Sequence, residues 1–97
     1  MNTEPRLVLE LEDILAELHA ARRTGDLGRL VLLSYFQLRR WARAAGHQIL
    51  ASRTSDLFLA CPFGSRDDLL VGLDALIDEA ERARARYEAS AASVAAA

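Results

Sequence analysis

Residues 27–45 are predicted to form a helix, and the first half of this helix is apolar on two opposite sides. Leu30 and Trp41 belong to one stripe, whereas Leu32 and Phe36 lie about 120–180° away from it on a helical wheel. A helix that is apolar all round is normally buried all round. A chain of 97 residues has few other elements to cover it. The helix is therefore predicted to be either the centre of the fold or part of an interface.

Local signals fix the ends of this central helix and of the helix before it. Apolar residues recur at helical spacing over residues 4–23, which predicts the first helix. Gly25 follows it and can adopt the left-handed conformation of a helix stop. Asp26 is the predicted N-cap of the central helix, and Gly46 is its predicted stop.

A third helix begins after Ser65, which with Asp68 three residues later resembles a capping box. Its apolar stripe predicts an end near Glu88. Residues 89–97 are almost entirely alanine and serine, and we expect them to be disordered. The chain is thus predicted to be one helical domain, residues 1–88, followed by a tail.

The segment between the second and third of these helices, residues 47–63, is predicted to be a β-hairpin. Two short apolar runs flank four polar, turn-like residues, 53–56, which is typical of a hairpin with a four-residue loop. The predicted fold class is therefore α+β, mainly helical, in the order α-α-β-β-α. Leucine and alanine in the apolar runs prefer helix, which leaves an all-α bundle of three to four helices as the alternative.

The second apolar side of the central helix predicts a contact surface, because arginines rim it as they do many protein interfaces. The third helix is also about as long as a domain of this size is wide. Both features favour a homodimer that buries the same patch on each subunit. We expect a non-enzymatic protein–protein interaction or adaptor module, whose partner is a second copy or another protein. The predicted contact residues are Arg29, Leu32, Leu33, Phe36, Arg40 and Arg43.

A DNA-associated transcriptional regulator is the first alternative. Arg39, Arg40 and Arg43 form the densest basic cluster, and Trp41 lies among them, as in surfaces that clamp phosphates and stack bases. However, Trp41 falls on the core stripe and is predicted to pack inside. The net charge of −2 also counts against a dedicated phosphate-backbone binder. All 12 basic residues are arginine, which codon usage in a GC-rich, bacterial genome also explains.

A thiol enzyme is the second alternative. Cys61 and His47 would face each other across the hairpin, and an imidazole activates a neighbouring thiol. The sequence around Cys61 is apolar, where a free cysteine usually packs as a small core residue. The single cysteine and two histidines offer no metal-ligand spacing, and the sequence lacks a phosphate-binding glycine loop. We therefore expect no enzymatic activity and no cofactor.

A cytoplasmic location is expected from the same composition. The longest uncharged apolar run, residues 30–33, is far shorter than the roughly 20 residues of a membrane-spanning helix. No secretory signal is visible at the first residues. A lone cysteine is typical of proteins in a reducing compartment.

Overall fold

The computed structural model describes residues 4–59 and 66–96, and each element in these ranges is a helix. The bundle is arranged as a ring, because α1 and α3 each pack against both α2 and α4. This places α2 at a corner of the bundle, with one side against its neighbours and the other facing outward. The helices are α1 (Glu4–Thr24), α2 (residues 27–44), α3 (Gln48–Leu59) and α4 (Arg66–Ala96).

Helix α3 replaces the predicted β-hairpin, so the α+β fold class is wrong. Leu50 and Thr54 are buried and Leu57 is half-buried, which is the i, i+4, i+7 stripe of a helix. The Thr54 hydroxyl donates a hydrogen bond of 2.7 Å to the Ala51 carbonyl, so this polar group is satisfied within the helix. The described part of the chain contains no strand, and its architecture is the all-α alternative. The end of the predicted second strand, residues 60–63, lies outside the described residues.

The predicted junction between α1 and α2 is confirmed. Gly25 has a φ of 71°, and the Asp26 side chain accepts a hydrogen bond of 3.2 Å from the Arg29 main-chain N–H. Gly46 has a φ of 74° and ends α2 in the same way. The short turn at Gly25 makes α1 and α2 antiparallel neighbours.

Helix α4 is longer than predicted. It begins at Arg66 with two aspartates in its first turn, which suit the helix dipole. Its backbone continues past Glu88 as a helix as far as Ala96. The 31 residues span about 46 Å, close to the 50 Å long axis of the molecule. The predicted cap, Ser65, lies outside the described residues.

A hydrogen bond and an ion pair connect α4 to α1 along the outside of the core. His19 Nε2 lies 2.8 Å from Glu81 Oε1, and Arg22 binds Asp74 through two contacts of 2.8 and 3.2 Å. Asp74 raises the pKa of the Arg22 guanidinium. Beneath these contacts, leucines from all four helices form the core. The large apolar side chains that are fully buried are Leu11, Leu18, Leu30, Leu33, Leu38, Leu50 and Leu73.

A π-helical segment, Leu33–Leu38, interrupts α2 between the α-helical segments Leu27–Leu32 and Arg39–Ala44. Hydrogen bonds of a π-helix join residues five apart, so Leu33 and Leu38 lie one turn apart. Both are buried. The wide turn therefore points Leu33 inward, while Leu32 beside it points outward.

Candidate functional site

The outward side of α2 carries two large apolar side chains followed by two arginines. Leu32 is 57 % exposed and Phe36 is 58 % exposed, and their i, i+4 spacing makes them neighbours. Arg40 and Arg43 are exposed on the next two turns. We call these four residues the α2 ridge.

Two of the six predicted contact residues are not part of this ridge. Leu33 is 2 % exposed and belongs to the core, so it does not contribute to the surface. Arg29 lies at the start of α2, where its guanidinium is 3.6 Å from the Glu17 carboxylate of α1. The remaining four predicted residues are those of the ridge.

A groove of about 500 Å³ separates the ridge from α1. Glu10 and Asp13 line its α1 wall, whereas Arg40 lines the α2 wall. Glu10 also contacts Arg6 at 3.3 Å on α1 itself. The ridge is therefore bordered by carboxylates on this side. The other lining residues are Ile14, Gln37, Trp41 and Ala44.

A smaller groove of about 210 Å³ lies between α2 and α3, where Arg43 and Asp56 are among the lining residues. Arg39 points toward the same helix. Its guanidinium carbon stacks 4.5 Å from the centre of the Tyr35 ring, and its Nη1 donates a hydrogen bond of 3.4 Å to Ser55 Oγ. Arg39 is thus bound within its own chain.

These positions favour a protein surface over the predicted DNA-binding cluster of Arg39, Arg40 and Arg43. The three side chains diverge, since Arg40 lines the α1 groove, Arg43 lines the α3 groove and Arg39 is bound to its own chain. Trp41 is 3 % exposed, which confirms that it packs inside. A base-stacking ring has to be accessible. The carboxylates in both grooves would also repel the phosphate backbone of DNA.

The predicted thiol dyad has only one member among the described residues. His47 precedes α3, and its main-chain N–H donates a hydrogen bond of 2.7 Å to the Ala42 carbonyl. Its ring centre lies 6.5 Å from that of Trp41. Burial, and next the charge of Arg86, lower the pKa of His47, and Glu79 opposes them. Cys61 lies outside the described residues.

The described residues include neither a three-residue group suited to a metal ion nor a helix suited to span a membrane. No group of three His, Cys, Asp or Glu side chains there is arranged to hold a metal ion. Likewise, none of the helices in residues 4–59 and 66–96 combines the length and hydropathy needed to cross a bilayer.

No protein-family model matches the chain, and comparisons with curated proteins and with solved structures give no match. A function therefore has to be inferred from the exposure and charge of the α2 ridge.

The acidic border of the ridge is the part of the site that the sequence interpretation missed. Glu10, Asp13 and Glu17 follow an i, i+3, i+7 spacing, which puts all three on one face of α1. That spacing alone predicts only an acidic face exposed to solvent. The additional signal is the tight turn at Gly25 and Asp26, which folds α2 back along α1 and brings this acidic face beside it.

Proposed function

We propose that the chain is a non-enzymatic interaction module that forms a homodimer through the α2 ridge. The observation that carries this proposal is the exposure of Leu32 and Phe36 side by side, at 57 % and 58 %. Scattered single apolar residues are normal on a protein surface, but adjacent ones rimmed by polar groups mark interaction sites. A second copy of the chain supplies the same patch and covers it.

The apolar pair supplies part of the binding free energy. Complete burial of a leucine or phenylalanine side chain contributes about 1.5–3 kcal/mol, and these two are already partly covered. About 1 kcal/mol for each of the four side chains in a dimer totals about 4 kcal/mol. Micromolar association needs about 8 kcal/mol. The interface must therefore extend beyond Leu32 and Phe36.

Arg40 and Arg43 are suited to that extension. Neither forms an ion pair with another described residue, and both are exposed. Arginine is enriched at protein interfaces because its stem covers apolar surface while its guanidinium binds carboxylates. The two arginines thus complete a ridge with an apolar half and a basic half.

The proposal places this module in the cytoplasm. Its support is the single cysteine, Cys61, since proteins of oxidising compartments are often stabilised by disulfides. An adaptor role, in which the dimer binds a further protein through its outer polar faces, is included in the proposal.

Sedimentation equilibrium of matched variants tests the role of the ridge. Phe36→Asp introduces a charge into the apolar pair, and we expect it to reduce the mass to that of one chain. Val71→Asp is the control, because Val71 is 70 % exposed on α4 and its replacement should leave the dimer intact. The proposal is wrong if Phe36→Asp leaves both the mass and the folding cooperativity unchanged.

A gel shift at about 50 mM salt distinguishes the DNA-binding alternative, because phosphate contacts are strongest at low ionic strength. We expect no shift of duplex DNA. A shift that disappears by about 200 mM salt would favour the arginine cluster as a DNA contact.

A further inference from the structure

We infer that the two α2 ridges pair antiparallel and cross at Phe36, so that Arg40 of one protomer reaches the partner's Glu17. This inference rests on the proposed homodimer and specifies its geometry. It follows from the order of apolar and charged groups along α2 and from the carboxylates that α1 places beside them.

The ridge changes character along its length. Leu32 and Phe36 occupy its first half, and Arg40 and Arg43 occupy its second half. A parallel pair would set arginine against arginine, and like charges across an interface are strongly unfavourable. An antiparallel pair sets each basic half against the apolar half of the other protomer, where arginine stems can cover Leu32.

The crossing point determines which residues of the two protomers lie opposite each other in the antiparallel pair. With Phe36 opposite the partner's Phe36, Arg40 lies opposite the partner's Leu32. Beside Leu32, on the first half of α2, Glu17 of α1 lies 3.6 Å from Arg29 with its side chain 47 % exposed. That carboxylate has room for a second guanidinium, and Arg40 is the nearest candidate on the partner.

The reciprocal contact uses the larger groove. The partner's Arg29 lies level with Arg43, but Arg43 lines the α3 groove whereas Arg29 lies on the α1 side of its helix, so the two guanidiniums are on opposite sides of the pair. The partner's Arg29 therefore approaches the α1 wall of the larger groove. Glu10 and Asp13 line that wall. A two-fold axis produces every contact twice. At each end of the paired helices, carboxylates on α1 of one protomer therefore face an arginine of the other protomer. The surface is thus self-complementary in charge.

The size of a stable interface supports the involvement of α1. Standard interfaces bury about 800 Å² on each partner, which is more than two apolar side chains provide. The groove of about 500 Å³ beside the ridge gives the partner's side chains a place to enter. The acidic face of α1 therefore belongs to the interface as well as α2.

Engineered disulfides test the orientation in a Cys61→Ser background. Leu32→Cys mixed with Arg40→Cys should give a cross-linked heterodimer on mild oxidation, whereas Leu32→Cys alone should stay uncross-linked. Efficient self-linking of Leu32→Cys would show a parallel pair and overturn the inference, although the homodimer would stand. If the unaltered protein sediments as a monomer at every concentration, the proposed function fails and the inference fails with it.

Charge exchange tests the named ion pair. Arg40→Glu and Glu17→Arg should each weaken the dimer by about 10-fold, and the double variant should recover most of that loss. Arg53→Glu on α3 is the matched control and should leave the dissociation constant unchanged. Additive losses in the double variant, with each protein shown to be folded by circular dichroism, would contradict the pairing of Arg40 with the partner's Glu17.

Discussion

The indole Nε1 of Trp41 donates a hydrogen bond of 2.8 Å to the main-chain carbonyl of Leu7. The same ring meets Tyr87 edge-on with centroids 5.9 Å apart, and the Tyr87 hydroxyl donates to the Ala45 carbonyl at 3.2 Å. One aromatic side chain therefore joins α1, α2 and α4 at the end of the bundle away from Gly25. Trp41 therefore stabilises the fold from the inner side of α2. The outer side of this helix does not take part in that packing and can contact a partner.

Replacing Trp41 with phenylalanine should lower the free energy of unfolding by about 2 kcal/mol. The change removes one hydrogen bond, worth about 1 kcal/mol, and leaves space where the larger ring packed. Urea denaturation measures the loss. Tyr87→Phe is the control, because it removes only the hydroxyl and should lower the stability by about 1 kcal/mol or less. Equal stability of Trp41→Phe and the unaltered protein would contradict this role.

Two glycine substitutions should have opposite effects on stability. Gly46 has a φ of 74° and no heavy atom within 4 Å of an added Cβ, so Gly46→Ala introduces backbone strain without a clash. We expect a loss of about 1–2 kcal/mol. Gly28 is inside a helix with its nearest atom at 3.9 Å, so Gly28→Ala should gain about 0.5–1 kcal/mol. Thermal unfolding of both variants at one protein concentration measures the difference, and a stabilising Gly46→Ala would contradict the helix end.

The helix boundaries could be predicted because local chemistry sets them. Gly25 and Gly46 supply the left-handed residues, and Asp26 supplies the cap. These signals act within a few residues and need no knowledge of the rest of the chain. The end of α4 lacks such a signal, since alanine and serine near residue 89 permit a helix without ending it.

The helix α3 was missed because its polar residues resemble a turn in isolation. Thr54 is fully buried, and its hydroxyl bonds the Ala51 carbonyl, so it packs as part of the apolar stripe. Leu50 and Leu57 are seven residues apart, and Thr54 occupies the position between them in the helical stripe, which is not recognised when threonine is read as a turn residue. Tertiary packing decided between two local structures that the sequence permits.

The site was partly predictable for a similar reason. The exposure of Leu32 and Phe36 agrees with the second apolar side of the central helix, whereas the burial of Leu33 depends on a π-helical turn. A regular helix places Leu33 on the outer side. The inserted residue of the wide turn changes its direction, and no local sequence signal marks that insertion.

Ser34 gives a prediction that depends on this π-helical segment. Its side chain is 1 % exposed, and its hydroxyl oxygen has no hydrogen-bond partner among the described residues. Because an unsatisfied buried hydroxyl costs about 1–3 kcal/mol, Ser34→Ala should stabilise the protein by about 1 kcal/mol.

Thr54→Ala is the matched control for Ser34→Ala, since the Thr54 hydroxyl is buried and bonded. It should lower the free energy of unfolding by about 1–3 kcal/mol, through the lost hydrogen bond and methyl group. Chemical denaturation compares the two variants. Destabilisation by Ser34→Ala would show that its hydroxyl is bonded in the folded protein.

His47 should make the stability depend on pH. Its pKa in the folded protein is below the ordinary 6.5, mainly because of burial, so the unfolded chain binds the proton more readily. The stabilising contribution is present above pH 6.5 and is lost as the pH falls through the pKa of the folded state. The unfolding free energy should thus decrease between about pH 7.5 and 5.5 more steeply than in His47→Gln. Identical pH profiles of the two proteins would contradict this assignment.

Light scattering on a sizing column, with the unaltered protein at about 50 and about 500 mM salt, measures whether two chains associate in solution. Burial of Leu32 and Phe36 between two copies resists salt, because the hydrophobic contribution is not screened. The homodimer predicts a mass about twice the 10.7 kDa of one chain at about 50 mM salt, and a smaller average mass at about 500 mM to the extent that salt screens the arginine–carboxylate pairs. A mass of one chain at both would contradict the dimer and leave the α2 ridge without the partner assigned to it.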